Sequence, residues 1–242
     1  MLKKLLQNNL FKTIVLSLFL VIFITIVFTL NANLKVSDEA IGAFNSLPIL
    51  LKLIFMIMLP VFGEFKYLYQ FIMIYIIPIS LIYSFYLGYT INSNNQIEET
   101  LPMARDKKSF YYLLAPYIHI LAILLILLLT TITVTSIMYK HFYFEVINGF
   151  INLLFWNTAI YLLASIFRNL KNKFKLIIML GMGAYLILAF ILTSLVNVSW
   201  FYYLSPLNIL LQPTNNFLIY LIPLGISLSL LIIYFMKKHR AK

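Results

Sequence analysis

The chain has 242 residues, of which 63% are hydrophobic and 10% are charged, whereas an average soluble domain is about 25% charged. A soluble protein of this length cannot bury so much apolar surface, and the absence of cysteine excludes disulfides, thiolate catalysis and cysteine-ligated metal sites. The net charge of +11 does not indicate a nucleic-acid partner, because the basic residues lie in short clusters between apolar runs and not on one solvated face.

Six apolar runs are long enough to cross a lipid bilayer. A membrane-spanning helix needs about 20 predominantly apolar residues. In chain order, the predicted spans are Phe11–Leu30, Phe71–Ile91, Leu113–Met138, Phe144–Phe167, Phe174–Val196 and Phe217–Met236. Residues 1–242 are therefore predicted to form a single all-α domain, a polytopic integral membrane protein with six transmembrane helices.

A seventh apolar run, Leu47–Phe62, follows the first span and has only 16 residues. It carries Lys52 in its middle, and Pro48 and Pro60 lie near its ends. A charge at the centre of the bilayer costs about 2.5–3.5 kcal/mol on insertion scales. We therefore predict that residues 47–62 form an interfacial or re-entrant segment.

The longest predicted cytoplasmic loop, Asn92–Ser109, follows the second span. It contains an acidic pair, Glu98 and Glu99, then a Leu101–Pro102 step and a basic cluster. Composition alone leaves two interpretations open. The loop is either a solvated connector or a short docking helix that reaches a soluble partner.

Small residues at a spacing of four mark the second span. Ser80, Ser84 and Gly88 share one face of that helix, where they allow another backbone to approach closely. This stripe predicts ordinary helix–helix contact within the protomer. The alternative is a seam between two copies of the chain.

Two polar stripes are candidates for a substrate path. They are His119, Thr130 and Thr133 on the third span, and Glu145, Asn148 and Asn152 on the fourth. At 100° per residue, the members of each stripe fall on one side of their helix. Packing is the alternative role, because a hydroxyl can bond to a carbonyl one turn back and an asparagine can bond to a neighbouring helix.

The distribution of lysine and arginine favours six spans with both termini in the cytoplasm. In this topology 14 of the 18 basic residues lie inside, and the other four are Lys35, Lys52, Lys66 and Lys140. Counting residues 47–62 as a span reverses every later loop and leaves only five basic residues inside. Cytoplasmic loops of membrane proteins carry the excess of positive charge, so six spans fit better.

The motifs of common enzymes are missing from the sequence. It contains no G-x-x-x-x-G-K-[ST] phosphate loop, no H-E-x-x-H and no G-x-S-x-G. The three histidines are far apart in the chain. We therefore predict that the protein is not an enzyme and holds no cofactor or metal of its own.

Three short motifs lie between the predicted spans and carry a resemblance to a known family. They are Phe44–Lys52 (FNSLPILLK) outside, Glu98–Arg105 (EETLPMAR) inside, and Leu204–Asn208 (LSPLN) before the last span. With the arrangement of spans, they resemble the permease subunit of type-2 ABC exporters, of the kind that exports peptides or phenol-soluble modulins.

The resemblance implies a pair of permeases, identical or different, above separate ATPase subunits that hold ATP and Mg²⁺. It implies an ATPase-coupling loop made of Glu98, Glu99, Leu101, Pro102, Met103, Arg105, Asp106, Lys107 and Lys108. It also implies a second cytoplasmic contact at Arg168, Lys171 and Lys173. The expected activity is export of an amphipathic or peptide-like substrate across a bacterial plasma membrane.

Two alternatives remain open from the residues alone. The first is a membrane immunity or assembly factor that sequesters a peptide without transporting it. The second is a secondary transporter, which the lack of a carboxylate deep in a span and of a visible repeat between the two halves disfavours.

Overall fold

A computed structural model of the chain describes residues 2–31, 65–90, 105–141, 144–167, 172–196 and 218–240, together with residues 39, 42, 43, 46, 47, 51 and 206. This part contains six long helices and no strand. The helices are α1 (Leu2–Asn31), α2 (Phe65–Thr90), α3 (Arg105–Tyr139), α4 (Phe144–Ile166), α5 (Asn172–Val196) and α6 (Leu218–Arg240). The prediction of an all-α chain is confirmed for these residues.

Four of the helices are long and apolar enough to cross a membrane, judged by length and composition. Their apolar stretches are Asn9–Leu30, Leu68–Thr90, Phe110–Tyr139 and Phe144–Ile166. They coincide with the first four predicted spans, as expected of a multi-pass membrane protein. In α5 and α6 the described apolar stretches are shorter, Leu176–Tyr185 and Tyr220–Met236. The segment at residues 47–62 lies outside the described residues, apart from Leu47 and Leu51.

Helix α4 is the centre of the bundle. It packs against α2, α3 and α6, and α1 packs along α3. Most of its residues are buried, including Leu153 and Tyr161, whereas α1 presents a broad exposed apolar face that includes Phe11 and Phe19. In a bilayer, such a face lies against lipid tails. Helix α5 reaches the core through Ile178 and Met182.

Helices α2 and α4 approach each other closely at Gly88. A Cβ atom placed on Gly88 would lie 2.5 Å from the Cβ of Ala164 and 2.7 Å from the carbonyl oxygen of Tyr161. Only glycine fits at such a distance, which is how small residues tighten helix contacts in lipid. The predicted stripe of Ser80, Ser84 and Gly88 is therefore confirmed as a contact within the protomer.

Helix α3 is longer than the span that the sequence predicts. Its 35 residues begin at Arg105, eight positions before Leu113, and extend about 52 Å at 1.5 Å per residue. The hydrocarbon core of a bilayer is about 30 Å thick, so α3 must project beyond it. After Tyr139 the chain turns through Lys140, whose φ of 54° is left-handed, and α4 begins at Phe144.

Candidate functional site

A buried polar cluster ties α1, α2 and α3 together, and we call it the three-helix node (Thr13, Tyr83 and His119). The Thr13 hydroxyl donates to the carbonyl of Asn9, one turn back in α1, at 2.8 Å. Its Oγ1 atom also lies 2.8 Å from the hydroxyl of Tyr83 on α2 and 2.9 Å from Nδ1 of His119 on α3. One hydroxyl thus contacts two other helices.

The hydrogen bonds of the node indicate the tautomer of His119. Because the Thr13 proton is donated to Asn9, its oxygen accepts from the Tyr83 hydroxyl and from an Nδ1–H group of the ring. The second ring nitrogen, Nε2, is buried and makes no hydrogen bond within the described residues. The side chain is 4% exposed, so it belongs to the packed interior.

A second contact between α1 and α2 lies next to the node. The ammonium group of Lys12 donates a hydrogen bond to the hydroxyl of Tyr86 and lies 4.8 Å from the centre of its ring. Lysine commonly extends its charged end from the edge of a membrane helix towards the interface. The N-terminal third of α1 is therefore held to the C-terminal half of α2.

The middle of the bundle contains an amide–hydroxyl cluster between α2 and α4. Asn157 is fully buried, and its Oδ1 accepts from the Ser84 hydroxyl at 2.5 Å. Its Nδ2 group donates to Ser80 at 3.2 Å and to the carbonyl of Leu153 at 2.7 Å. These bonds satisfy a polar group that would otherwise be expensive inside the bundle.

Tyrosines join α3 to α4. The hydroxyl of Tyr117 lies 3.0 Å from Oγ1 of Thr158, and Tyr161 donates to the carbonyl of Leu113 at 2.7 Å. The two tyrosine rings lie 6.0 Å apart. Helix α3 is thus bonded through side chains to α1 and to α4.

The predicted polar stripe of α4 lies where α4 meets α2 and α6. Glu145 and Asn148 are half-buried, while Asn152 is buried and its Oδ1 has no hydrogen-bond partner within the described part of the chain. Tyr69 of α2 is also buried, and its hydroxyl likewise makes no hydrogen bond there.

The predicted stripe of α3 is divided between different environments. His119 lies in the three-helix node, Thr130 donates to the carbonyl of Ile126 at 2.8 Å, and Thr133 is exposed. Thr131 and Thr135 are the buried hydroxyls in this part of α3, and each donates one turn back, at 2.8 and 2.7 Å. The three predicted residues do not meet at one place, and their part in a substrate path stays a prediction.

The predicted ATPase-coupling residues fall largely outside the described residues. Those outside are Glu98, Glu99, Leu101, Pro102, Met103, Arg168 and Lys171. Arg105, Asp106, Lys107 and Lys108 form the first turn of α3, and Lys173 is the second residue of α5; only their backbone is described. The basic cluster is therefore continuous with a membrane helix.

An apolar cavity of about 160 Å³ opens between α2, α4 and α5. Its walls include Pro78, Phe85, Ile160, Met179 and Met182. Its lining is almost entirely apolar, so it offers contacts to small apolar groups. In a bilayer, lipid tails supply such groups.

Sequence reasoning missed the connections made by Thr13, Tyr83 and Asn157. A single hydroxyl in an apolar run shows no pattern, and its partners lie 70 and 106 positions away along the chain. Asn157 was more predictable, because an amide inside an apolar span needs a hydrogen-bond partner on another helix. The stripe of Ser80 and Ser84 on the second span offers such partners. Within the described residues, no group of histidine and acidic side chains could hold a metal ion.

No family model, curated protein or solved structure matches the chain.

Proposed function

We propose that the chain is the membrane-spanning permease subunit of an ATP-driven ABC exporter in a bacterial plasma membrane. It has six spans with both termini in the cytoplasm, and it forms a homodimer or heterodimer of permeases. It moves an amphipathic or peptide-like substrate out of the cell. ATP and Mg²⁺ are held by a separate ATPase subunit, consistent with the absence of a phosphate loop in this sequence.

The observation that carries the proposal is the continuity of α3. The helix runs without a break from the basic cluster at Arg105–Lys108 into the apolar stretch Phe110–Tyr139. Consecutive hydrogen-bonded turns make a helix stiff along its axis. A force applied by an ATPase at the cytoplasmic end is therefore carried directly into the bundle.

The three-helix node extends this connection to α1 and α2. His119 lies 14 residues after Arg105, about 21 Å along α3. Its bond to Thr13, and the bond of Thr13 to Tyr83, join three helices at one point. A displacement of α3 therefore changes the packing of α1 and α2 as well. A permease that alternates between two conformations requires such coupled movement of its helices.

The proposal predicts a stable complex with an ATPase. The chain is co-expressed in turn with each ABC-type, Walker-motif ATPase of its own genome, and the detergent-solubilised proteins are purified through a tag on the chain. We expect a stoichiometric complex. The double variant Glu98→Gln, Arg105→Ala should weaken the complex by roughly tenfold, because a loss of about 1.4 kcal/mol changes an affinity by that factor.

The matched control is Lys140→Ala, an exposed residue on the opposite side of the membrane in the six-span topology. This variant should form the complex as well as the natural chain does. A chain that binds peptides but never an ATPase contradicts the proposal and favours the peptide-sequestering factor. Transport that runs on an ion gradient in the absence of ATP favours the secondary transporter.

A further inference from the structure

The cavity between α2, α4 and α5 has a lining that suits only an apolar occupant. Its volume is about 160 Å³, and every side chain that lines it is apolar, including Phe85, Ile160 and Met182. A polar group that entered it would give up its hydrogen bonds to water or to lipid headgroups and find no partner among these side chains. The chemistry of the lining therefore selects hydrocarbon.

The cavity opens at the surface of the bundle, between α2 and α5. Ile82 of α2 and Ile187 of α5 both line it, and their side chains are 58% and 55% exposed. These two residues therefore mark its mouth. In a bilayer, exposed apolar side chains of this kind lie against lipid tails, so the mouth faces hydrocarbon chains.

The depth of the cavity corresponds to the acyl chains of a bilayer. The apolar stretch Leu68–Thr90 of α2 has its centre at Ile79, and the lining residues Ile77 and Phe85 lie about 3 and 9 Å from it along the helix. The hydrocarbon core is about 30 Å thick, so each headgroup region begins about 15 Å from the centre. At the level of the cavity, the surrounding lipid consists of acyl chains.

Helix α5 closes one side of the cavity and has few contacts with the core. Within the described residues, its side chains that pack against the core are Ile178 and Met182. Others, such as Leu180 and Leu188, are more than half exposed. A Cβ atom placed on Gly183, which lines the cavity, meets no atom within 4 Å. In the part of the chain that the structure describes, space separates α5 from its neighbours at this point.

We propose that this cavity binds one acyl chain of a bilayer phospholipid, which enters between α2 and α5 and completes the packing of α5 against the bundle. A peptide segment is a poor occupant, because its backbone N–H and C=O groups would lack hydrogen-bond partners in the apolar lining. A helix of a second copy is too wide, since an α-helix with its side chains is about 10–12 Å across. The site requires only that the bundle lies in a bilayer, and it does not depend on the exporter function.

Occupancy by lipid is measured by photo-cross-linking. The purified full chain is placed in phosphatidylcholine nanodiscs that contain some phosphatidylcholine with a diazirine near the methyl end of one acyl chain, the part of the chain that lies at the depth of the cavity. Mass spectrometry of the digested protein then locates the adducts. We expect adducts on Phe85 and Met179, and also on Phe19, an exposed residue of α1 that reports ordinary contact with lipid.

Two variants change the volume of the cavity in opposite directions. Gly183→Leu fills it and should lower the adducts on Phe85 several-fold, while those on Phe19 stay unchanged. The matched control is Gly181→Leu on the same helix, because Gly181 is exposed, does not line the cavity and also has no atom within 4 Å of a Cβ placed there. It should leave both adducts unchanged. Met182→Ala enlarges the cavity and should raise the adducts on Phe85, an effect that unfolding does not imitate.

Three results would overturn the site. Adducts on Phe19 without any on Phe85 or Met179 would mean that protein, from this chain or from a second copy, fills the cavity. Equal losses in Gly183→Leu and Gly181→Leu would mean that a general disturbance of α5 causes them. Unchanged adducts in Gly183→Leu would place the lipid on the outer surface of the bundle. None of these results depends on an ATPase, so this site and the exporter are rejected separately.

Discussion

At the scale of single residues, buried polar groups of two kinds occur in this bundle. Asn157 is bonded through both its amide oxygen and its amide nitrogen, so its role is to join α2 to α4. Asn152, five positions earlier on the same helix, keeps an unpaired oxygen. Chemically identical side chains thus serve packing in one place and offer an acceptor in another.

The bond between Asn157 and Ser84 should be measurable as a coupling free energy. Hydrogen bonds between membrane helices contribute about 0.6 kcal/mol on average and up to about 1.7 kcal/mol. In a double-mutant cycle of Asn157→Ala and Ser84→Ala, we expect a coupling within that range in reversible unfolding from mixed micelles. If the changes in the free energy of unfolding of the two single variants simply add in the double variant, the bond contributes nothing to stability.

The matched control for that cycle is Thr130→Val. Among the described residues, the hydroxyl of Thr130 bonds only to the carbonyl of Ile126 in its own helix, and valine keeps its shape. We expect this variant to change the free energy of unfolding by less than about 0.5 kcal/mol, the usual range for a substitution away from packed or bonded groups. A larger effect would mean that Thr130 has a partner on another helix.

Sequence patterns revealed polar and small residues that recur at a regular spacing, and they missed isolated polar residues that make contacts between helices. The stripe of Ser80, Ser84 and Gly88 was predictable, because spacing four places small residues on one helix face. Thr13 and Tyr83 carry no such pattern, and their bond exists only because α1 and α2 come together in the fold. Whether a polar residue in a span is exposed, as Thr133 is, or packed in the interior depends on neighbouring helices that a single chain segment does not specify.

At the scale of helices, the contact between α2 and α4 is set by the smallest residue in it. The position of Gly88 leaves no space for a methyl group against Ala164 and the backbone of Tyr161. Rigid backbone atoms cannot move aside as the end of a flexible side chain does. The α2–α4 distance is therefore fixed by glycine.

Gly88→Ala should destabilise the protein by about 1–3 kcal/mol, the usual cost of forcing extra volume into a packed interface. Gly225→Ala is the control, because no atom lies within 4 Å of a Cβ placed there. Alanine is favoured over glycine in a helix by about 1 kcal/mol, so the control should be neutral or stabilising. Thermal unfolding in detergent compares the two, and equal stability of the variants would contradict the close contact.

The start of α3 shows where prediction from apolar runs fails. The sequence placed the third span from Leu113 because apolar residues predominate there. The helix begins at Arg105, since charged residues such as Lys107 and Lys108 are good helix formers outside the bilayer. Apolar composition identifies the part of a helix that lies in lipid. The full length of the helix is set by its backbone hydrogen bonds, which continue into polar sequence outside the bilayer.

At the scale of the whole molecule, the described residues form six helices with α4 at the centre, and four of the six have the length and composition of membrane spans. In the proposed six-span topology, the basic cluster at the start of α3 lies in the cytoplasm and Glu145 lies on the outer side. The proposed exporter depends on this topology, because it needs an inner surface that an ATPase can reach.

The topology is tested most directly by labelling single cysteines in intact cells with a maleimide that cannot cross the membrane. The chain has no native cysteine, so each introduced cysteine reports alone. Six spans predict that Ser37→Cys and Ser205→Cys label, and that Ser93→Cys labels only after the cells are permeabilised. If Ser205→Cys is protected, the loop between α5 and α6 is not outside and the six-span topology is contradicted. If Ser93→Cys labels in intact cells, the proposed ATPase-binding surface is on the wrong side.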